Sequence, residues 1–413
     1  MNKLKVLMFG WEFPPMMSGG LGVACEGIAK GLSRNNVDVT FVMPQGPPEM
    51  HSAYARIIVA SRLSKNKIKN VKIKTIPSLL RPYISSDQYS ESYSQYLEKS
   101  GIIGDNSKPL YGRNIYEEVY RFAQLAAVIA ANEDFDIIHC HDWMTYQAGI
   151  EAKKVSGKPL VVHIHNTVFD RGGDNGNPYE YAIEKNGFDQ ADKIFAISNF
   201  IKNKLISKYG IDERKIVVVY NGIDEAMPAR YDVPKHDKIV LFLGRVTLQK
   251  GPDYFLEAAK KVLEYDPNVK FIINGEGDMK PRLVQRVAEL GIGKNVLFEF
   301  VMGPPYTDRL YQMADLFVMP SVSEPFGLVP LEAIKNGTPV IISKQSGVSE
   351  VLKTALKVDF WDIDELASKI IAMLNYKSLH SEMRNQGAIE ISNFNWDISA
   401  EKCISVYREL IHA

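Results

Sequence analysis

Cysteine is scarce, with three in 413 residues, at Cys25, Cys140 and Cys403. An odd number so widely spaced excludes a closed disulfide framework and fits reduced thiols that serve as packing residues. Net charge is missing too, since 49 Lys and Arg balance 49 Asp and Glu. No global field draws the chain to nucleic acid, to an anionic bilayer or to a cation, so any anion site must be local. Long hydrophobic runs are absent: the stretch 122–131 is about ten residues and contains Gln124, well short of the ~18 to 20 that cross a bilayer, so no transmembrane segment is expected. The opening MNKLKVLMFGWEFPP has an apolar core shorter than the ~7 to 15 residues of a secretory signal. A cytoplasmic protein is the expectation.

Hydrophobic residues make up 46% and charged residues 24%, which excludes disorder and low complexity. At ~150 residues per domain the length suggests two or three domains. Runs rich in Val, Ile and Phe (KVLMFG, VDVTFVMP, DIIHCH, PLVVHIH, KIFAIS and KIVVVYN, then KIVLFLG, VKFIING, VLFEFV, DLFVMPS and PVIISK) alternate with helical patterns. Continuous apolar strands of this kind suit parallel sheets covered on both faces, so the fold class is α/β, with two doubly wound, Rossmann-like domains. Residues 221–238 break the pattern and read as a linker. The division is therefore 1–228, 229–390 and a terminal helical segment, 391–413. Residues 61–114 form a second irregular region, a lid or a surface excursion. Such sheets bind ligands beyond the carboxyl ends of their strands, so two of them facing a cleft hold two substrates.

The chemistry sits after the strands. KIVLFLG is followed by GRVTLQKG, which brings Arg245 and Lys250 to a strand end. A planar guanidinium fork and a point charge suit a diphosphate, although such pairs are often solvated surface charge. DLFVMPS leads into VSEPFGLVPLEAIKNG, where Glu324 lies in a loop and Gly327 and Pro330 suit a helix start that continues to Gly337. The N–H groups of Gly327 and Leu328 would face an anion, and Glu332, one or two turns inside, could reach a ribose hydroxyl; bare surface glutamates are the alternative. Gly19 and Gly20 open the helix carrying Leu21 to Leu32, either as a tight turn or as a phosphate or sugar approach. His139 with His141, and His163 with His165, share strand faces. Four histidines could hold zinc, but bracketing thiolates or glutamates are missing, and buried polar contacts are the preferred reading. Asp134 with Asp136, and Asp362 with Asp364, read as caps or surface.

Taken in order, GGLG, HDW, HIHN, GRVTLQKG, INGEGD, SEPFGLVPLEA and GTPVI resemble the retaining family-four glycosyltransferases of GT-B fold, nearest to the glycogen and starch synthase type. The resemblance spans the chain except residues 61–114. It implies that Arg245 and Lys250 hold a donor diphosphate with help from the Gly327 and Leu328 amides. It places Glu324 against the donor sugar and Glu332 at the nucleotide ribose. It also places His165 on the donor sugar and Asp142 at the acceptor side, and gives Gly20, Gly244, Gly275 and Gly277 to the donor pocket. The C-terminal helix would cross back to the first domain. One departure is Met17, where bacterial glycogen synthases usually carry a phosphate-binding Lys two residues before the glycine pair.

The implied activity moves glucose from UDP- or ADP-glucose to an α-glucan, retaining anomeric configuration without a metal or other cofactor. Rival readings are a family member acting on a lipid or a small sugar, a GT-B nucleotide-sugar 2-epimerase, and a glycan-binding protein with a dead transferase fold. No clear basic amphipathic face supports a lipid acceptor. The intact set Arg245, Lys250, Glu324 and Glu332 argues against the binder. Tyr89, Tyr93 and Tyr96 are candidates for stacking on an acceptor glycan, against a plain surface cluster. The sequence leaves the donor base, the acceptor and the oligomeric state open.

Overall fold

A computed structural model describes residues 3–14, 19–44, 52–59, 89–95, 114–224, 228–232, 237–301, 303 and 305–412. Its contacts divide the chain into two units: residues 1–197, 202–222 and 396–413 form one, and residues 198–201 and 223–395 the other.

In the first unit the strands are β1 (Lys5–Phe9), β2 (Asp38–Met43), β3 (Arg56–Val59), β4 (Ile137–His141), β5 (Leu160–Ile164), β6 (Lys193–Ala196) and β7 (Ile216–Val218). They pair in parallel in the order β3-β2-β1-β4-β5-β6-β7. Val6 thus sits between Val39 of β2 and Ile137 of β4. Every residue of β4 and β5 is buried, as their unbroken apolar character requires when both sheet faces are covered. Order reverses at β1, so the crevice between the ends of β1 and β4 is the switch point. The C-terminal helix Trp396–Ile411 packs on the helix Gly20–Arg34, with the Trp396 ring over Gly27. It belongs to the first unit.

The second unit contains β8 (Ile239–Leu243), β9 (Lys270–Asn274), β10 (Val296–Glu299), β11 (Leu316–Met319), β12 (Val340–Ser343) and β13 (Leu356–Val358), all parallel in the order β10-β9-β8-β11-β12-β13. Its switch point lies between β8 and β11. The core is a continuous apolar cluster in which Phe242, Phe255 and Phe271 meet, the Phe255 ring 5.7 Å from Phe242 and 5.6 Å from Phe271. Cys25, Cys140 and Cys403 are all free and buried. Among the described residues no helix is long and apolar enough to cross a membrane.

Most of the irregular region, 60–88 and 96–113, lies outside the described residues, as do Tyr96 and Met17. Tyr89 opens a short helical stretch and is fully buried, so it is a core residue and not a stacking platform for an acceptor.

Candidate active site

In the second unit the switch point gathers the loops after β8 and β11. Gly244 ends β8 with φ 152° and donates its N–H to Asn274 O at 3.0 Å. Gly275, at φ 158°, ends β9; a Cβ there would fall inside van der Waals contact with the Gly244 carbonyl oxygen. Gly277 is similarly pressed against the Val246 backbone. Arg245 follows, with a guanidinium nitrogen 3.3 Å from Gln249 Oε1. Lys250 closes a 3-10 turn, Leu248–Lys250, and Gly251 (φ 64°) lets the chain turn against the carbonyl of Pro320 before the helix Pro252–Tyr265 begins. That turn delivers the Lys250 ammonium to within 2.5 Å of Glu324 Oε2. The Glu324 backbone is held on both sides, its N–H donating to Gln345 O at 3.0 Å and its carbonyl accepting from Gly347 N at 2.9 Å. A largely buried carboxylate is thus fixed beside a largely buried ammonium at the place where open α/β sheets bind ligands.

Downstream, Gly327 has φ 106° and Leu328 precedes the helix Val329–Lys335. The first intrahelical bond runs from Glu332 N to Leu328 O at 3.0 Å, so the amides of Gly327 and Leu328 stand at the helix entrance. The helix is shorter than expected, stopping at Lys335 because the chain turns at Gly337 (φ 86°). Glu332 therefore lies in its first turn. Burial pushes the Glu332 carboxyl up, while a hydrogen bond from Tyr311 Oη at 2.9 Å partly offsets this.

The first unit gathers a different set. Asp142 follows β4 in a backbone conformation (φ 60°, ψ 165°) that non-glycine residues rarely adopt, a strain typical of functional positions. Its Oδ1 accepts from His165 N at 2.7 Å, and burial raises its carboxyl to about 7. His165 follows β5. The four histidines form a buried ladder. His139 Nε2 lies 3.3 Å from His163 Nδ1, and His141 Nδ1 lies 2.9 Å from His165 Nε2. Tyr407 Oη of the C-terminal helix closes one end, 2.7 Å from His139 Nδ1. Burial pushes all four imidazoles down, His139 and His165 to about 3, so each is neutral at physiological pH. Gly20 is the first residue of the helix Gly20–Arg34, capped by an extended Gly19.

Ring nitrogens of His139, His141 and His163 come within 4.8 Å of one another. The rings are also layered: His163 lies over His165 at 4.4 Å and 30°, and over His139 at 5.4 Å and 13°. Near-parallel rings pair one nitrogen of each histidine with its neighbour, while His141 Nε2 and His163 Nε2 are buried with no hydrogen-bond partner among the described residues. The D-x-D carboxylates are structural. Asp136 accepts from Lys5 N at 2.8 Å, Asp134 pairs with the Lys5 ammonium, and Asp362 caps its helix by accepting from Glu365 N at 2.9 Å.

Two family models match the sequence, Glycosyltransferase Family 4 over residues 18–226 and Glycosyl transferases group 1 over residues 224–389. The chain belongs to glycosyltransferase family 4. An uncharacterized glycosyltransferase of Methanocaldococcus jannaschii is 28% identical, with 98% of each chain covered. A D-inositol 3-phosphate glycosyltransferase of Mycolicibacterium paratuberculosis is 30% identical over 67% of each chain. Among solved structures, sucrose-phosphate synthase from Thermosynechococcus elongatus superposes with a TM-score of 0.71 at 20% identity, covering 99% of this chain and 100% of its own. That likeness shows the fold, which is GT-B. The family-four assignment carries glycosyl transfer from a nucleotide sugar with it; the glycogen and starch synthase subtype is a finer matter.

Within this family-four chain the structure joins Lys250 to Glu324 and Asp142 to His165, while Arg245 and Glu332 contact Gln249 and Tyr311 instead. Tyr311, Gln249, Gln345 and Tyr407 were not singled out from the sequence, because their roles depend on contacts with distant segments. Gly251 carried a usable signal, a glycine directly between a loop cation and a proline-led helix.

Proposed function

We propose that this family-four enzyme is a retaining, metal-independent hexosyltransferase that moves glucose from UDP- or ADP-glucose to an α-glucan. The observation that carries the donor half is the Lys250–Glu324 pair, set between glycine-shaped strand ends at the β8/β11 switch point. Lys250 and Arg245 would neutralise the departing diphosphate, and the Gly327 and Leu328 amides would add the positive end of a helix. At ~4 Å and an effective dielectric of ~20, one such cation is worth about 4 kcal/mol. Glu324 would stabilise positive charge developing at the anomeric carbon. The glycosidic bond to phosphate breaks as the acceptor oxygen bonds to the same face, and the acceptor proton passes to the departing phosphate. Glu332 would hold the ribose, His165 the donor sugar and Asp142 the acceptor side.

A second reading has a small phosphorylated polyol as acceptor. It is favoured by the 30% identical relative named for inositol phosphate, and by the Met17 departure from the glycogen synthase pattern.

Radiolabelled UDP- and ADP-glucose, offered with glycogen, with inositol 3-phosphate and with neither, test both readings in the presence of excess chelator. Label entering polymer supports the glucan reading and label on the phosphorylated polyol the second. Epimerised donor without acceptor marks an isomerase, and dependence on manganese overturns metal independence.

A further inference from the structure

The second unit has a concavity of about 460 Å³ at the opposite end of its strands from the Lys250–Glu324 pair. One wall is the C-terminal end of the helix Val329–Lys335, with Lys335 and Gly337 leading into β12. Another is the helix Lys377–Glu390, which presents His380, Ser381, Arg384, Asn385 and Ala388 at helical spacing. His380 Nε2 lies 2.9 Å from the carbonyl of Asp315, the residue leading into β11, which fixes this wall at the amino edge of the sheet. Arg230 supplies a third side. Its segment is pinned because Gln312 donates to Ala229 O at 2.8 Å and accepts from Tyr231 N at 3.0 Å.

Among the described residues the lining is one-sided in charge. Among the described residues no Asp or Glu lines the concavity, and neither Arg230 nor Arg384 has a hydrogen-bond or ion-pair partner. Of the nearby carboxylates, Asp308 holds Asn336 Nδ2 at 3.1 Å, and Glu332 is held by Tyr311 and attracts the Lys335 ammonium. The negative end of the short helix is covered too. Gly337 N donates to Ile334 O at 2.8 Å and Thr338 N to Ala333 O at 2.9 Å. Gly337 packs beside Arg384, since a Cβ there would lie 3.4 Å from its guanidinium, at ordinary contact distance. In a chain of zero net charge, uncompensated guanidinium groups in a concavity are a local anion trap.

The shape narrows the ligand class. Two guanidinium forks suit phosphate oxygens. Ile334, Ala388 and Ile391 offer apolar surface for a carbon body, with Ser381 and Asn385 beside it for hydroxyls. The volume falls in the small-molecule range, whereas a stable peptide interface needs a far larger area. We propose that Arg230 and Arg384 form a second anion site, at the amino edge of this sheet, which binds a small phosphomonoester independently of the nucleotide-sugar site.

Isothermal titration of the full chain with glycerol 3-phosphate, inorganic phosphate and glycerol tests this. Both phosphates should bind and glycerol should not. Arg384→Gln and Arg230→Gln should each weaken glycerol 3-phosphate at least about tenfold, the loss expected for one charge-assisted contact, whereas Lys250→Ala should leave it unchanged. Retained UDP binding by Arg384→Gln shows that the unit is folded, and Arg384→Lys, which keeps the charge and loses the fork, should fall between. The proposal is overturned if neither phosphate binds, if Lys250→Ala abolishes binding while Arg384→Gln does not, or if hexaglutamate outcompetes glycerol 3-phosphate at this site. The donor-site reading stands or falls separately, on UDP binding by Lys250→Ala.

Discussion

The ammonium of Lys250 stands 2.5 Å from Glu324 Oε2, and the pair ties the loop after β8 to the loop after β11 with side chains only 19% and 8% exposed. A pair this sheltered from water has a structural and a chemical consequence. Removing one partner leaves the other charge uncompensated, and it also removes the cation proposed to meet the donor diphosphate.

Lys250→Ala should therefore lower turnover about 10²-fold or more while costing about 3–5 kcal/mol of stability, and Lys250→Arg should recover more stability than activity. Glu324→Gln, nearly isosteric, should cost far more in kcat than Glu332→Gln. Steady-state kinetics beside thermal melts check both statements. Near-normal turnover in Lys250→Ala, or the reverse order of the two glutamates, would remove these residues from the chemistry.

Tyr311 bears on the second glutamate. Burial raises the Glu332 carboxyl, and the Tyr311 hydroxyl opposes that rise by donating to the ionised form. Tyr311→Phe should lift the carboxyl further. If ionised Glu332 binds the ribose, donor KM in the variant should worsen as pH falls, starting at a higher pH than in the parent, with kcat little changed. A pH profile of kcat/KM whose acid limb does not move would separate Glu332 from donor binding.

The sequence revealed the sheets, because parallel strands buried on both faces are written as unbroken apolar runs, and it placed the candidate site at their carboxyl ends. Arg245, Lys250 and Glu324 were legible as loop residues after such runs, and Asp142 and His165 through motif order. Legibility stopped where the partner is remote. Tyr311 lies 21 residues before Glu332 and Tyr407 lies 268 residues from His139, so neither contact has a local pattern. The length of the Val329–Lys335 helix was misread because Gly337 lies beyond its C-terminal cap and outside the helix itself. Arg230 and Arg384 gave no signal, since a lone arginine on a polar helix face looks the same whether it faces bulk water or a concavity.

The histidine ladder makes an acid-sensitive core. All four imidazoles have folded-state pKa values below the unfolded 6.5, so between those values the unfolded chain binds more protons. Their contribution is fully present above about pH 6.5 and is lost as pH falls toward 3. Asp142, raised to about 7, acts in the opposite sense, but four imidazoles outweigh one carboxyl. These five groups should give a net uptake of roughly three protons on unfolding near pH 5.5. Urea midpoints at pH 5.0, 5.5, 6.0 and 7.5 measure this, and a flat profile would mean that the histidines are charged in the native state. Tyr407→Phe should cost about 1–3 kcal/mol at pH 7.5 by leaving His139 Nδ1 without its partner.

The glycines at the donor edge separate two kinds of constraint. Gly244 and Gly275 both have φ near 155°, where a side chain is strained, at about 1–3 kcal/mol each. A Cβ at Gly244 would meet nothing within 4 Å, whereas one at Gly275 would press on the Gly244 carbonyl. Gly244→Ala therefore tests backbone strain alone, and Gly275→Ala adds a collision that can be relieved only by moving the end of β8 and, with it, Arg245. Gly275→Ala should accordingly lower the melting temperature more than Gly244→Ala and weaken nucleotide-sugar binding by a larger factor. Equal effects on both measurements would mean that the loop bearing Arg245 yields freely, and that its position is not what holds the diphosphate.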